Sequence, residues 1–413
     1  MRIIGVIISI YRDANTVIEI AELAELCKSI GIQIHDHMTQ KLIKTDPKHY
    51  LGSGKIQEVK NLVIFTKSEI VIVNDRLSST QKKNLEKLLC VQVMDRNEVI
   101  LQIFRKNACS SESKCQVELA SLQYELPKLI GKNDNLSRTG GGIGTVGPGE
   151  TELEYNRRTI QKRISVLKSK LKEIEAEHQR NRKNRLESSL PIISIVGYTS
   201  AGKSTLLKNI SGDENILVSP DLFSTLSPSV RRIKFACGLA AVVSDTVGFV
   251  NRLPLELIES FKSTLQEVKD SDIIVKVIDL SSTCTAMHIR TIDSILGELN
   301  AQEIPQIIIF NKVDVSEQFK IDDYKLLYPK ALFTSAADPF NKSEILQFIQ
   351  DSLIEKGIIK NNAVEVLSSE EWKFSKFIGN IGICEKKSIE EKVYFKMLSK
   401  ESQYKKIIKS LEV

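Results

Sequence analysis

Apolar runs alternate with amphipathic stretches along the first quarter of the chain, and this alternation predicts its elements. Arg2–Ile10, Ile32–His37, Ile70–Asn74 and Val91–Met94 read as strands. Val17–Ile30, Lys55–Phe65 and Ser79–Leu89 carry helical periodicity, the last with Ser79 or Thr80 placed to cap it. Strands alternating with helices over residues 1–96 predict a small, mostly parallel α/β domain. Asn97–Leu126 then reads as one long helix, because Ile100, Phe104, Ala108, Cys115, Leu119, Leu122 and Leu126 recur at threes, fours and sevens. Arg157–Arg185 reads as a second. Its Ile160, Ile164, Leu167, Leu171 and Ile174 alternate spacings of four and three, a coiled-coil seam. Two such stripes predict a long antiparallel helical hairpin over residues 97–188.

Between the two helices lies a glycine-rich segment at 137–150, with Arg138 followed by Gly140, Gly141, Gly142, Gly144 and Gly147. Five glycines within eight positions oppose a helix. The second helix carries Arg157, Arg158, Lys162, Arg163, Lys168, Lys170 and Lys172, with few acidic residues beside them. A one-signed face usually means a solvated helix, but next to a loop without bulky side chains it also fits RNA phosphates. Candidate RNA contacts are therefore Arg138, Gly140, Gly141, Gly142, Gly144, Arg157, Arg158 and Arg163.

The most informative stretch is Pro191–Ile210, PIISIVGYTSAGKSTLLKNI. A short buried strand leads into Gly197, Tyr198, Thr199, Ser200, Ala201, Gly202, Lys203 and Ser204, which fit G-x-x-x-x-G-K-[ST]. Thr205 onward starts a helix with Leu206, Leu207 and Ile210 on one face. Strand, glycine loop and helix in that order are the setting of a P-loop. Backbone N–H groups and the helix N-terminus attract phosphate, Lys203 reaches the β- and γ-phosphates, and Ser204 is placed to ligate Mg²⁺.

Later segments select the nucleotide. A strand ends at Asp245, and Asp245-Thr246-Val247-Gly248 matches DxxG, in which the carboxylate holds Mg²⁺ through water and the glycine N–H meets a γ-phosphate. Ile304–Phe310 leads into Asn311-Lys312-Val313-Asp314, an NKxD motif. A carboxylate there accepts from the guanine N1–H and exocyclic amine together, a pair that adenine does not offer. Thr334-Ser335-Ala336 follows another short strand and has backbone suited to the guanine O6. Phe223-Ser224-Thr225-Leu226-Ser227 lies where a switch threonine belongs, making Thr225 a third candidate Mg²⁺ ligand beside Ser204 and Asp245. P-loop, DxxG, NKxD and SA in this order imply a GTPase domain over 189–355, a doubly wound, mostly parallel sheet. Phe249 follows DxxG where Ras-type GTPases carry a water-orienting Gln, so hydrolysis by the chain alone is expected to be slow.

Composition narrows the setting. The 413 residues suffice for several cores, and the net charge of +6 is a mild excess. Seven cysteines without a CxxC pair argue against a disulfide framework or a zinc site and fit a reducing, cytoplasmic location. No apolar run approaches about 18 residues, so no membrane span is expected. Met1–Tyr11 reads as a strand rather than a signal peptide, Gly52–Lys55 as a tight turn, and His35 and His37 as structural. Residues 356–413 read as a small α+β domain, with strands at Val364–Leu367 and Lys392–Phe395 and helices at Glu371–Phe377 and Glu401–Leu411; Trp372 is expected in a core or interface.

Taken end to end, the chain resembles the HflX family of ribosome-binding GTPases. The resemblance rests on YLGSGKIQEV, NDRLSSTQKKNLEKLL, QVELASLQYELPKL, SRTGGGIGTVGPGETELEYNRR, GYTSAGKSTLL, LFSTLSPS, DTVGFVNRLP and NKVD. It implies GTP as substrate, Mg²⁺ as cofactor and the large (50S) ribosomal subunit as partner of a monomeric protein. It further implies that the glycine loop sits near the peptidyl-transferase centre, that hydrolysis is faster on the ribosome, and that stalled or stressed ribosomes are split or rescued. A GTPase switch in ribosome assembly or RNA modification is the alternative. Three departures stand out: Ser200 replaces an Asn that helps hold a monovalent cation, the switch reads FSTLSPS rather than FATLDPT, and Val250-Asn251 replace Ile-Arg. Turnover is therefore expected to differ little between potassium and sodium.

Overall fold

The computed structural model describes residues 3–130, 148–187, 190–213, 223, 229–245, 248–252, 254, 256–257, 267–375, 377, 380–389 and 392–411. The chain divides into two compact units. One comprises Met1–Ile174 with Asn251–Phe261, the other Glu175–Val250 with Lys262–Val413.

In the first unit β1 (Ile3–Tyr11), β2 (Ile32–Lys41), β3 (Ile70–Val73) and β4 (Gln92–Asp95) form an all-parallel sheet in the order β2-β1-β3-β4. All four residues of β3 and six consecutive residues of β1 are buried, as parallel strands covered on both faces must be. Helices α1 (Asn15–Ser29), α2 (Ser53–Thr66) and α3 (Ser79–Leu89) connect the strands. Val6, Ile8, Ile10, Val59, Val63, Val71, Val73 and Leu85 pack into one core. The cap of α3 is Ser78, not Ser79 or Thr80. Its Oγ accepts from the Gln81 N–H at 3.2 Å, while the Ser78 N–H donates to Gln81 Oε1 at 3.0 Å. Only Ser78 has a Gln three residues on, which this reciprocal box requires.

The stretch expected as one helix from Asn97 is two, α4 (Arg96–Asn107) and α5 (Ser111–Ile130). The break has a local cause. Ser110 Oγ accepts from the Ser113 N–H at 3.0 Å, a serine cap that competes with helix continuation. Helix α6 (Pro148–Glu187) begins well before the expected Arg157 and takes in Pro148, Gly149 and Glu150 of the glycine-rich segment. Proline suits a first helical position, where its missing N–H costs nothing. Leu167 of α6 packs with Cys115 and Leu119 of α5, and Ile164, Leu171 and Leu122 flank them. The Arg163 guanidinium closes the pair on Glu118 with bonds of 2.6 and 2.8 Å.

The second unit is built on β5 (Ile192–Gly197), β6 (Ser229–Lys234), β7 (Ala240–Asp245), β8 (Ile273–Asp279), β9 (Gln306–Asn311) and β10 (Leu332–Phe333), in the order β10-β9-β8-β5-β7-β6. All neighbours run parallel except the β6–β7 pair. Every residue of β5 is buried, and helix α7 (Lys203–Ser211) leaves its carboxyl end carrying Leu206, Leu207 and Ile210 into the core. The fold is thus the expected α/β class with a mostly parallel sheet. Towards the C-terminus, β11 (Lys360–Leu367), β12 (Gly382–Ile389) and β13 (Lys392–Ser399) make an antiparallel sheet in the order β11-β13-β12. Val364, Phe395 and Met397 pack there with Ile407 of the last helix, Glu401–Leu411. Strand β12 was not anticipated because six of its eight residues are exposed, leaving no apolar alternation to read. Trp372 is 59% exposed and is not a core residue.

Removing the Ser78 hydroxyl leaves the Gln81 N–H without its cap. Ser78→Ala should cost about 1 kcal/mol locally, read as faster hydrogen exchange across Ser79–Leu89 with the rest of the first unit unchanged.

Candidate nucleotide site

The site assembles at the carboxyl ends of β5, β7 and β9, where doubly wound sheets bind ligands. Two glycines of the loop after β5 are required by space. A Cβ on Gly197 would lie 2.4 Å from the Val277 carbonyl oxygen, and one on Gly202, at φ +91°, would lie 2.1 Å from Asn311 Nδ2. Lys203 opens α7 and is buried. Its Nζ donates to the carbonyls of Gly197 at 3.2 Å and Tyr198 at 2.9 Å, so the ammonium is held inside the loop. Burial lowers its pKa to about 8, and the nearby Asp245 carboxylate opposes that shift. Ser204 Oγ donates to Asp245 Oδ2 at 2.8 Å, bringing the P-loop hydroxyl and the DxxG carboxylate together. Thr205 is half-buried on the next position of the helix, and Ala201 is fully buried.

Gly248 stands against the same lysine: a Cβ there would lie 3.2 Å from Lys203 Nζ and 3.0 Å from Thr199 Cγ2. Phe249 continues the β5 ladder. Its N–H donates to the Gly197 carbonyl at 3.0 Å, its carbonyl accepts from the Thr199 N–H at 2.8 Å, and it bridges Tyr198 in parallel. The phenyl ring is 2% exposed and packs with Val196, Val268 and Ile274, so it turns away from any attacking water.

The guanine-selecting motifs meet at Asn311. Its Nδ2 donates to the Ala201 carbonyl at 2.8 Å and its Oδ1 accepts from the Ala336 N–H at 2.7 Å. One buried amide thus joins the P-loop to the SA segment. Asn209 of α7 adds to this by donating to the Ala336 and Asp338 carbonyls at 3.1 and 2.9 Å. Thr334 and Ser335 are buried beside it, and the Thr334 N–H donates to the Phe310 carbonyl at 2.9 Å. Lys312, at φ +64°, ion-pairs with Asp279 at 2.7 Å. Val313 and Asp314 form the following turn, with the Asp314 carboxylate exposed.

The structure therefore brings together Gly197, Thr199, Lys203, Ser204, Asp245, Gly248, Asn311 and Ala336. Ser200 is exposed at φ +58° on the rim, and Phe223 is buried at φ +59°. Ser224, Thr225, Leu226, Ser227, Thr246 and Val247 lie outside the described residues, as do Arg138, Gly140, Gly141, Gly142 and Gly144. The reading of motifs passed over three contributors: Asp279, Asn209 and His288, whose ring stacks on Tyr198 with centroids 3.9 Å apart. Asp279 ends the buried strand IIVKVID, and a carboxylate at a strand's carboxyl end was the available signal.

Comparison with known proteins agrees with this geometry. The family described as "50S ribosome-binding GTPase" matches residues 192–312, and those described as "GTP-binding GTPase N-terminal" and "GTP-binding GTPase Middle Region" match 18–105 and 107–185. The HflX GTPase of Caldanaerobacter subterraneus subsp. tengcongensis is 39% identical over 379 residues, covering 92% of this chain and 86% of that protein. The chain belongs to the HflX family of GTPases. The HflX proteins of Alkalihalophilus pseudofirmus, 42% identical over 71% of this chain and 70% of its own, and of Escherichia coli, 35% identical over 81% and 79%, agree. As an HflX-type GTPase the chain binds guanine nucleotide and hydrolyses GTP. Among the described residues no helix is long and apolar enough to cross a membrane.

The buried lysine makes phosphate binding proton-linked. In the empty protein Lys203 loses its charge as pH rises through about 8, whereas a bound polyphosphate favours the ammonium. Nucleotide binding should take up protons, and so weaken, as pH rises through and above about 8. Calorimetry in buffers of different ionisation enthalpy measures this uptake, and Lys203→Met should abolish it.

Proposed function

We propose that this GTPase acts on the large ribosomal subunit and splits or rescues stalled ribosomes. The observation that carries this reading is the basic face of α6: Arg157, Arg158, Lys162, Lys168, Lys170 and Lys172 are all exposed on one rigid helix that directly follows the glycine-rich segment. Phosphate contacts of this kind supply affinity without sequence specificity. Glycines at 140, 141, 142 and 144 present little but backbone, which suits entry into a crowded RNA pocket. Arg163 has a double role in this scheme, since its bidentate bond to Glu118 also braces the helix pair. Functionally the chain divides into an N-terminal domain over 1–96, the hairpin over 97–188, the GTPase domain over 189–355 and a C-terminal domain over 356–413.

Within the site, Lys203 and the loop amides hold the phosphates, Asp314 reads the guanine edge and Asn311 keeps the two loops in register. Ser204 Oγ and Asp245 Oδ2, 2.8 Å apart, are the hard oxygen donors that Mg²⁺ prefers, with Thr225 as the further ligand. Bound Mg²⁺ neutralises charge on the β- and γ-phosphate oxygens. Gly248 and Thr225 sense the γ-phosphate and order the switches, favouring the docked state. Because Phe249 is buried in the core, a partner supplies or organises the group that activates water, and the monomer alone is slow.

Shortening 138–147 should leave GTP affinity unchanged and abolish ribosome splitting in sucrose gradients. Replacing Arg157, Lys162 and Lys168 together should weaken binding to the large subunit and lower the slope of log affinity against log salt by about 2–3. A loop-shortened protein that splits ribosomes normally would reduce the glycine segment to a linker. Cosedimentation with immature subunits alone would favour an assembly role.

A further inference from the structure

Within the second unit, the turn between β6 and β7 meets the first residues of β12. The Cys237 carbonyl accepts from the Ile383 N–H at 2.9 Å, so a backbone bond joins that turn to the C-terminal sheet. The side chains are as close. A Cβ on Gly382 would lie 2.7 Å from Cys237 Sγ and 3.2 Å from Leu239 Cβ, so only glycine leaves room for the sulfur. Cys384 comes two residues later, at a shift of register in β12: Ile383 pairs with Met397, and Glu385 already pairs with Lys396. Such a bulge sets two residues opposite one and re-aims the extra side chain. Cys384 and Glu385 together oppose Lys396, on the face of the sheet that Gly382 turns to Cys237. Both thiols are free. Cys384 is exposed, and Cys237 is half-buried with its thiol donating to Gln350 Oε1 at 3.1 Å. The two sulfurs are within electrostatic range of each other. Burial pushes the Cys237 thiol above its ordinary pKa, a bond from Leu239 opposes this, and Cys384 adds to the rise.

We propose that Cys237 and Cys384 are a reversible redox pair, closed to a disulfide by peroxide, which latches the C-terminal sheet to the β6–β7 turn. Two residues span at most about 7 Å, so a rotation of the Cys237 side chain carries its sulfur from Gly382 towards Cys384. The exposed Cys384 meets the oxidant first. Its thiolate attacks one peroxide oxygen, the O–O bond breaks, and a sulfenic acid forms with release of hydroxide, which leaves as water. Cys237 sulfur then attacks the Cys384 sulfur. The S–S bond forms, the S–O bond breaks, and the departing hydroxide takes the Cys237 proton as a second water. Two thiols lose two electrons, and one peroxide becomes two waters. The latch lies away from the nucleotide. Strand β7 runs six residues from the turn to Asp245, about 20 Å. It therefore ties down the far end of the hairpin whose β7 arm ends at the DxxG carboxylate, and leaves the P-loop untouched.

The test uses the full-length, reduced protein treated with hydrogen peroxide. Free thiols are blocked with iodoacetamide and disulfides are mapped by mass spectrometry, with the exposed Cys90 and Cys109 as internal comparators. A peptide pair joined through Cys237 and Cys384 should form and be released by dithiothreitol. Cys384→Ser should abolish it, and Cys237→Ser should leave Cys384 to oxidise beyond the sulfenic acid. In the oxidised protein, hydrogen exchange at the Ile383 N–H should slow roughly tenfold. GDP affinity should stay within about twofold of the reduced form. Oxidation of Cys384 to sulfinic acid while Cys237 remains a thiol overturns the proposal. So does a disulfide that leaves exchange at Ile383 unchanged.

Discussion

One buried amide holds the nucleotide site in register. Asn311, at the end of β9, spends its donor on the Ala201 carbonyl and its acceptor on the Ala336 N–H. These belong to two loops separated by more than a hundred residues in sequence, and both alanines are buried in the core of the second unit. The rest follows from that staple. With Ala201 fixed, the turn through Gly202 is so tight against Asn311 that a side chain has no room, and α7 must start at Lys203. With α7 fixed, Lys203 is drawn inside the loop and Ser204 faces Asp245. Burying an ammonium is costly, and the depressed pKa of Lys203 reflects a site that carries that cost until phosphate arrives.

What the sequence disclosed and what it hid divide along a physical line. The P-loop, DxxG, NKxD and SA segments were legible because each needs particular residue types in a fixed local order, and because buried parallel strands announce themselves as unbroken apolar runs. Strand β3 and Ser79–Leu89 were found for the same local reasons. The break after Asn107 was obscured because the apolar repeat passes through it, while the serine that interrupts the helix acts through a hydrogen bond. The start of α6 was obscured by a glycine-rich context that argues against helix even where Pro148 favours one. Strand β12 carries too little buried surface to be seen. The contacts of Arg252 were invisible for another reason: Glu19 and Asp75 lie far from it in sequence, and only the fold makes them neighbours.

The two units show different uses of the same architecture. Each has a parallel or mostly parallel sheet whose strand order reverses and so offers a crevice at its carboxyl edge. In the second unit glycines and a helix N-terminus line that edge, which is chemistry for phosphate. In the first unit carboxylates and arginines line it, and they are satisfied by the chain itself. Within the second unit the backbone of Phe249 extends the P-loop ladder while its ring is buried in the core, so the position that supplies a catalytic amide in Ras-type GTPases serves here as an anchor.

The dependence of the site on Asn311 is open to direct measurement. Asn311→Ala removes two hydrogen bonds worth about 1 kcal/mol each, so GDP affinity by calorimetry should fall by up to roughly 30-fold, the limit reached when binding must re-order both loops, with secondary structure retained. GDP affinity within about threefold of the parent in a folded Asn311→Ala protein would contradict the view that this amide keeps the nucleotide loops in register.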